Sequence, residues 1–137
     1  MRKYLIATHG TFAGGIKSSI DLILGETENV FLIQAYLEEN KSLQEEIQNV
    51  LKQINPEDEL IVFTDLMGGS ITNQILQFGL KENVYILAGV NLPLLLDILL
   101  AHPETPVCKV IETGLENARE QMVFVNKLIN TSKEIYD

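Results

Sequence analysis

The sequence predicts an α/β protein built on an open, mostly parallel four-stranded sheet with helices on both faces. Two observations predict it. Short apolar runs of four to seven residues without polar alternation recur along the chain, as in strands covered on both sides. Between them the hydrophobic spacing changes to the three-and-four rhythm of amphipathic helices.

Residues 4–8 form the first apolar run, closed by His9 and Gly10. Ile16, Ile20, Ile23 and Leu24 then mark a first helix that Gly25 stops. Residues 29–35 are the second strand. In the second helix Leu43, Ile47, Val50, Leu51 and Ile54 keep one face apolar. Ser42 with Glu45 reads as a capping box there, and Asn55-Pro56 ends the run. Residues 60–64 are the third strand. Ile71, Ile75 and Phe78 follow as a third helix, with Ser70 as N-cap and Gly79 as C-cap. Residues 84–88 are the fourth strand. Asn91 caps a fourth helix from Leu92, with Pro93 in its first turn, where a missing N–H is harmless. Val107, Val110, Ile111, Leu115 and Ala118 repeat the stripe in a fifth. The four apolar residues 122–125 read either as a strand or as the last helix running on to Tyr136, because periodicity does not arbitrate so short a run.

At 137 residues, 46% apolar and 21% charged, the chain is one domain's worth of protein and long enough to bury a core. Ten Lys and Arg against nineteen Asp and Glu leave a net charge of −9, which argues against nucleic acid or an anionic membrane as partner. The single cysteine, Cys108, can form neither an internal disulfide nor a multi-thiolate metal site. Flanked by Val107 and Val110, it is expected to be a buried small apolar group. The apolar run at residues 4–7 is far short of a signal-peptide core, and residues 92–101, interrupted by Pro93 and Asp97, are too short to cross a bilayer. The expected location is cytoplasmic. No spacing of His, Cys, Asp and Glu suggests a metal site.

In open α/β sheets the ligand crevice lies beyond the carboxyl ends of the strands. These ends read Thr8-His9-Gly10, Gln34-Ala35, residues 64–70, and Gly89-Val90-Asn91; the second carries no useful chemistry. His9 is the best nucleophile or base, since imidazole titrates near neutrality, although a lone histidine there could equally bond a loop carbonyl. Asp65 occupies the matching place after the third strand, where an aspartate more often forms a turn or cap. With strand order 2-1-3-4 the first and third strands are neighbours, His9 and Asp65 converge, and a carboxylate on one ring nitrogen fixes the tautomer of the other. Gly68-Gly69-Ser70 enters a helix and would let an anion approach its N–H groups, although by itself it is a tight turn with a serine cap. Together these groups suggest phosphoryl chemistry on the imidazole.

A competing pattern runs from Gly10 to Ser18, G-x-x-x-x-G-I-K-S, one residue away from a nucleotide-binding phosphate loop. The inserted Ile16 rotates Lys17 by about 100° around the helix, away from that loop. His102 falls in a turn-rich stretch and is read as a surface residue.

With T-H-G at His9, D-L-M-G-G-S from Asp65 to Ser70, and A-G-V-N-L-P from Ala88 to Pro93, the chain resembles the mannose-family IIA component of the bacterial phosphoenolpyruvate-dependent sugar phosphotransferase system. The resemblance spans nearly the whole chain. It implies that His9 accepts a phosphoryl group from the phosphocarrier HPr and passes it to a IIB component, which phosphorylates incoming sugar at a membrane permease. It also implies that Asp65 orients His9 and that Ser70 lies near the phosphoryl group; on physical grounds the amides of Gly68, Gly69 and Ser70 would steady the transferring oxygens, and such transfer requires no metal or other cofactor. A homodimer is implied too, exchanging a C-terminal edge strand for which residues 122–125 are the matching segment. The chain departs from multidomain relatives by ending at Asp137, with no fused IIB, and from some relatives by carrying Met67 in place of an aromatic. Three alternatives stand beside this reading. One is the phosphocarrier subunit of a dihydroxyacetone kinase, against which Gly68-Gly69-Ser70 argues; the others are a regulatory module of the same fold and a small nucleotide-binding hydrolase built on Gly10 to Ser18. An acidic surface suits a carrier that meets basic patches on protein partners.

Overall fold

Parallel strands β1 (Arg2–His9), β2 (Val30–Ala35), β3 (Glu59–Thr64) and β4 (Val84–Ala88) form one sheet in the order β2-β1-β3-β4. This computed structural model describes residues 1–129. The helices are α1 (Phe12–Leu24), α2 (Leu43–Leu51), α3 (Ser70–Gly79), α4 (Leu92–Leu99), α5 (Val107–Glu120) and the short α6 (Val125–Ile129). None of them is long and apolar enough to cross a membrane.

Continuous apolar runs arise because each strand feeds two cores in alternation. On β1, Leu5 and Ala7 enter a cluster with Leu43, Ile47, Ile71 and Ile75 of α2 and α3. Ile6 enters the opposite cluster with Ile16 and Ile20 of α1, Leu95 and Ile98 of α4, and Val110 of α5. Ile6, Ile61 and Phe63 are fully buried, and each such side chain contributes about 1.5–3 kcal/mol by leaving water. Truncating Phe63 to Ala would cost about 3–5 kcal/mol, since a cavity is left as well.

The register ends β1 and β2 level and β3 two residues short of them. His9 pairs with Ala35 on one side, and Ala7 pairs with Thr64 on the other. The residues just after β2 and β3 therefore flank His9.

Several local expectations change in the structure. α1 begins at Phe12, four residues before Ile16, despite Gly14 and Gly15 in its first turns. Tertiary acceptors offset the helix penalty of those glycines, because Thr8 Oγ1 takes the Ala13 N–H at 2.8 Å and Gln34 Oε1 the Gly14 N–H at 3.3 Å. α3 is capped by Gly69, so Ser70 is its first residue and not its N-cap, and Gly79 is its last helical residue and not its C-cap. Ser42 and Asn91 do cap α2 and α4, accepting from the N–H groups of Glu45 and Leu94. Cys108 is exposed, contrary to expectation. The buried face of α5 runs through Val107, Val110, Gly114 and Ala118, and one step along a helix turns a residue about 100° off such a stripe. Residues 122–125 form no strand in the single chain. α5 ends at Glu120, residues 122–124 are irregular, and Val125 opens α6. The helical reading also fails at residues 121–124, and its continuation to Tyr136 lies outside the described residues.

Candidate active site

His9 and Asp65 are brought together by the adjacency of β1 and β3. Asp65 Oδ2 accepts two hydrogen bonds, one from the His9 backbone N–H and one from the His9 ring at Nδ1, each 2.8 Å long. A carboxylate only accepts, so Nδ1 holds the proton and Nε2 carries the free lone pair of the neutral ring. Burial pushes the Asp65 carboxyl up, but the hydrogen bonds from the His9 amide and ring outweigh it and hold the carboxyl below its ordinary range. Its second oxygen, Oδ1, is buried and has no hydrogen-bond partner among the described residues. His9 itself is 45% exposed at its side chain, so the free nitrogen is open to a partner.

The loop from Asp65 to Gly69 is held from below by two buried hydroxyls. Thr72 Oγ1 donates to the Leu66 carbonyl at 2.6 Å, which obliges Thr64 Oγ1 to be the donor in the 2.7 Å bond between the two threonines. Gly68 turns the chain with φ +72°, a conformation costly for residues with a Cβ. Among the described residues no side chain caps α3, so the N–H groups of its first turn have no side-chain acceptor there, and that end of the helix dipole favours an anion. α1 differs. Its Ala13, Gly14 and Gly15 amides are taken by Thr8 Oγ1, Gln34 Oε1 and the Thr11 carbonyl. Lys17 pairs with Asp21 one turn along the helix, at 2.6 Å. The phosphate-loop reading of Gly10 to Ser18 thus loses both its cradle and its lysine.

The family model EIIA-man, described as the PTS system fructose IIA component, matches residues 3–113. The chain belongs to this family. It is 34% identical over 101 residues to the PTS system fructose-specific EIIA component of Bacillus subtilis, covering 72% of this chain and 69% of that protein. It is 31% identical over 122 residues to the PTS system mannose-specific EIIAB component of Escherichia coli, covering 84% of this chain and only 38% of that longer protein. Among solved structures, a phosphoenolpyruvate-dependent sugar phosphotransferase system protein from Klebsiella pneumoniae superposes with a TM-score of 0.89 at 36% identity, covering 94% of each chain.

In this EIIA-man chain the strand ends sort differently from expectation. The first and third converge as expected. The fourth is structural, because the Val90 N–H bonds the Thr64 carbonyl and Asn91 caps α4. The second, expected to be chemically mute, is followed by Tyr36, whose hydroxyl lies 2.8 Å from Ser70 Oγ. The Tyr36 ring stands 5.5 Å from the His9 ring, tilted by 45°. Ser70 therefore meets a side chain 34 residues away, and not the start of its own helix. An aromatic directly after the last core residue of the strand neighbouring His9 was the signal available. His102 lies outside the site, an exposed residue whose Nδ1 accepts the Glu104 N–H at 3.1 Å.

Proposed function

We propose that this IIA component carries a phosphoryl group on Nε2 of His9, taking it from phospho-HPr and handing it to a IIB component of a sugar phosphotransferase system. The double hydrogen bond of His9 to Asp65 Oδ2 carries this reading. The lone pair on Nε2 attacks phosphorus while the donor's N–P bond breaks and its electron pair returns to the donor ring. No proton has to move. The positive charge given up by the donor imidazole develops on His9, whose Nδ1–H already points at Asp65. The unpaired Oδ1 of Asp65 adds to that attraction. Ser70, with the Gly68 and Gly69 turn and the uncapped amides of α3, steadies the transferring oxygens. Transfer to the IIB component is the same displacement in reverse.

The segments that follow His9, Tyr36 and Asp65 carry exposed apolar side chains, namely Phe12, Leu37, Leu66 and Met67, the last 84% exposed. Such a rim suits a donor and acceptor that are proteins. The carrier acts in the cytoplasm, and reaches the membrane permease through the IIB component. Incubation with phosphoenolpyruvate, enzyme I and HPr should load one acid-labile phosphate, absent in His9→Ala. Phosphate retained by that variant would overturn the assignment.

We further propose that two copies pair through residues 122–125 and the open edge of β4. Met122, Val123, Phe124 and Val125 are all exposed in the single chain, and among the described residues β4 has a neighbour only on the β3 side. Light scattering should give twice the 15.4 kDa chain mass, and Val123→Asp should return the monomer; a monomeric wild type would refute the pairing.

A further inference from the structure

We propose that Tyr36 is a positioning residue for phosphoryl transfer, acting through Ser70. The inference rests on the reading of His9 as the phosphoryl-bearing residue. Tyr36 holds a left-handed backbone, φ +67°, uncommon for a bulky side chain. It is nonetheless 58% exposed, so little burial offsets that strain. An exposed, strained aromatic beside a reactive group suggests that the conformation serves the site. The placement is also over-determined: Ala35 is the register partner of His9, and the Gly10 N–H bonds the Ala35 carbonyl at 2.9 Å.

The chemistry follows from counting protons. Two hydroxyls 2.8 Å apart place one proton between them and leave the other free. Phosphoryl oxygens are acceptors, so a serine that contacts them must donate. The phenol, the more acidic hydroxyl, then donates to Ser70 Oγ. The resulting chain runs from Tyr36 O–H to Ser70 Oγ and from Ser70 O–H to phosphoryl oxygen, and each donor strengthens the next. The Tyr36 ring, 5.5 Å from His9, also limits the directions from which water reaches the loaded imidazole.

The test is single-turnover transfer from phospho-HPr to wild type, Tyr36→Phe, Ser70→Ala and the double variant, with circular dichroism to verify folding. Tyr36→Phe keeps the ring and should slow the saturated transfer rate about fivefold, the loss expected for one net hydrogen bond, with the half-saturating phospho-HPr concentration unchanged. In the Ser70→Ala background the same change should add nothing, since its route is gone. A wild-type rate in Tyr36→Phe, an equal loss in both backgrounds, or an effect confined to half-saturation would each overturn the inference. If phosphate loads on His9 and Tyr36→Phe is silent, only the role of Tyr36 falls. If wild type takes no phosphate, the reading of His9 falls and this inference with it.

Discussion

A single oxygen, Oδ2 of Asp65, is 2.8 Å from both the backbone nitrogen and Nδ1 of His9. The backbone bond locates the start of the side chain and the ring bond sets its rotation, so the imidazole has one arrangement, with Nε2 outward. Asp65→Asn should disturb this through charge and tautomer together. An amide can present an N–H to Nδ1, which would place the ring proton on Nε2 and remove the nucleophilic lone pair. We expect transfer to fall by roughly 10–100-fold, with the fold retained, because an amide has the shape of the carboxylate and its oxygen can still accept from the His9 backbone N–H. Rapid-quench phosphorylation kinetics would measure it, and an unaltered rate would remove the orienting role.

At the opposite end of the sheet, Asp58 binds Lys3 Nζ at 2.8 Å and the Asn55 N–H at 2.9 Å, and faces the terminal amino group at 3.4 Å. The Lys3 bond foremost, then the Asn55 bond, hold its carboxyl at about 2. The depressed value means that the carboxylate stabilises the fold above its unfolded pKa, near 4. That contribution is lost as pH falls through about 2. Urea midpoints measured from pH 6 down to pH 2 should fall in this window, and Asp58→Asn should flatten part of the slope while lowering the midpoint at neutral pH.

Thr72 supports the active loop from below. Thr72→Val should leave the Leu66 carbonyl and the Thr64 hydroxyl without their bonds, a cost of about 1–3 kcal/mol. It should also slow transfer, because the loop carries Asp65 and leads into α3. Thr72→Ser retains the hydroxyl and should restore the rate. Chemical denaturation and transfer kinetics on both variants would check this; failure of serine to rescue the rate would show that the methyl group matters instead.

Lys17 belongs to a helix-surface ion pair with Asp21 and not to a phosphate cradle. Lys17→Met is therefore expected to leave phosphoryl transfer unchanged, and calorimetry with ATP or GTP should show no tight binding. Submicromolar affinity for either nucleotide would reinstate the phosphate-loop reading.

Much of this architecture was legible in the sequence by itself. Strand–helix alternation is written in local spacing, since a strand covered on both faces needs uninterrupted apolar residues and a surface helix needs a stripe. His9 and Asp65 were legible for a related reason: they follow apolar runs directly, and strand ends are where such sheets place chemistry. The caps at Ser42 and Asn91 are equally local, each joining groups three residues apart. What only the tertiary structure decided depends on groups remote in the chain. Tyr36 reaches Ser70 because β2 lies beside β1, a contact between residues 34 apart in the chain that local spacing does not encode. The true start of α1 depends on acceptors from Thr8 and Gln34, and the exposure of Cys108 on which neighbours cover one phase of α5. Residues 122–125 follow neither the strand nor the continued helix, since α5 ends at Glu120 and α6 starts at Val125, a boundary that four apolar residues in a row do not encode.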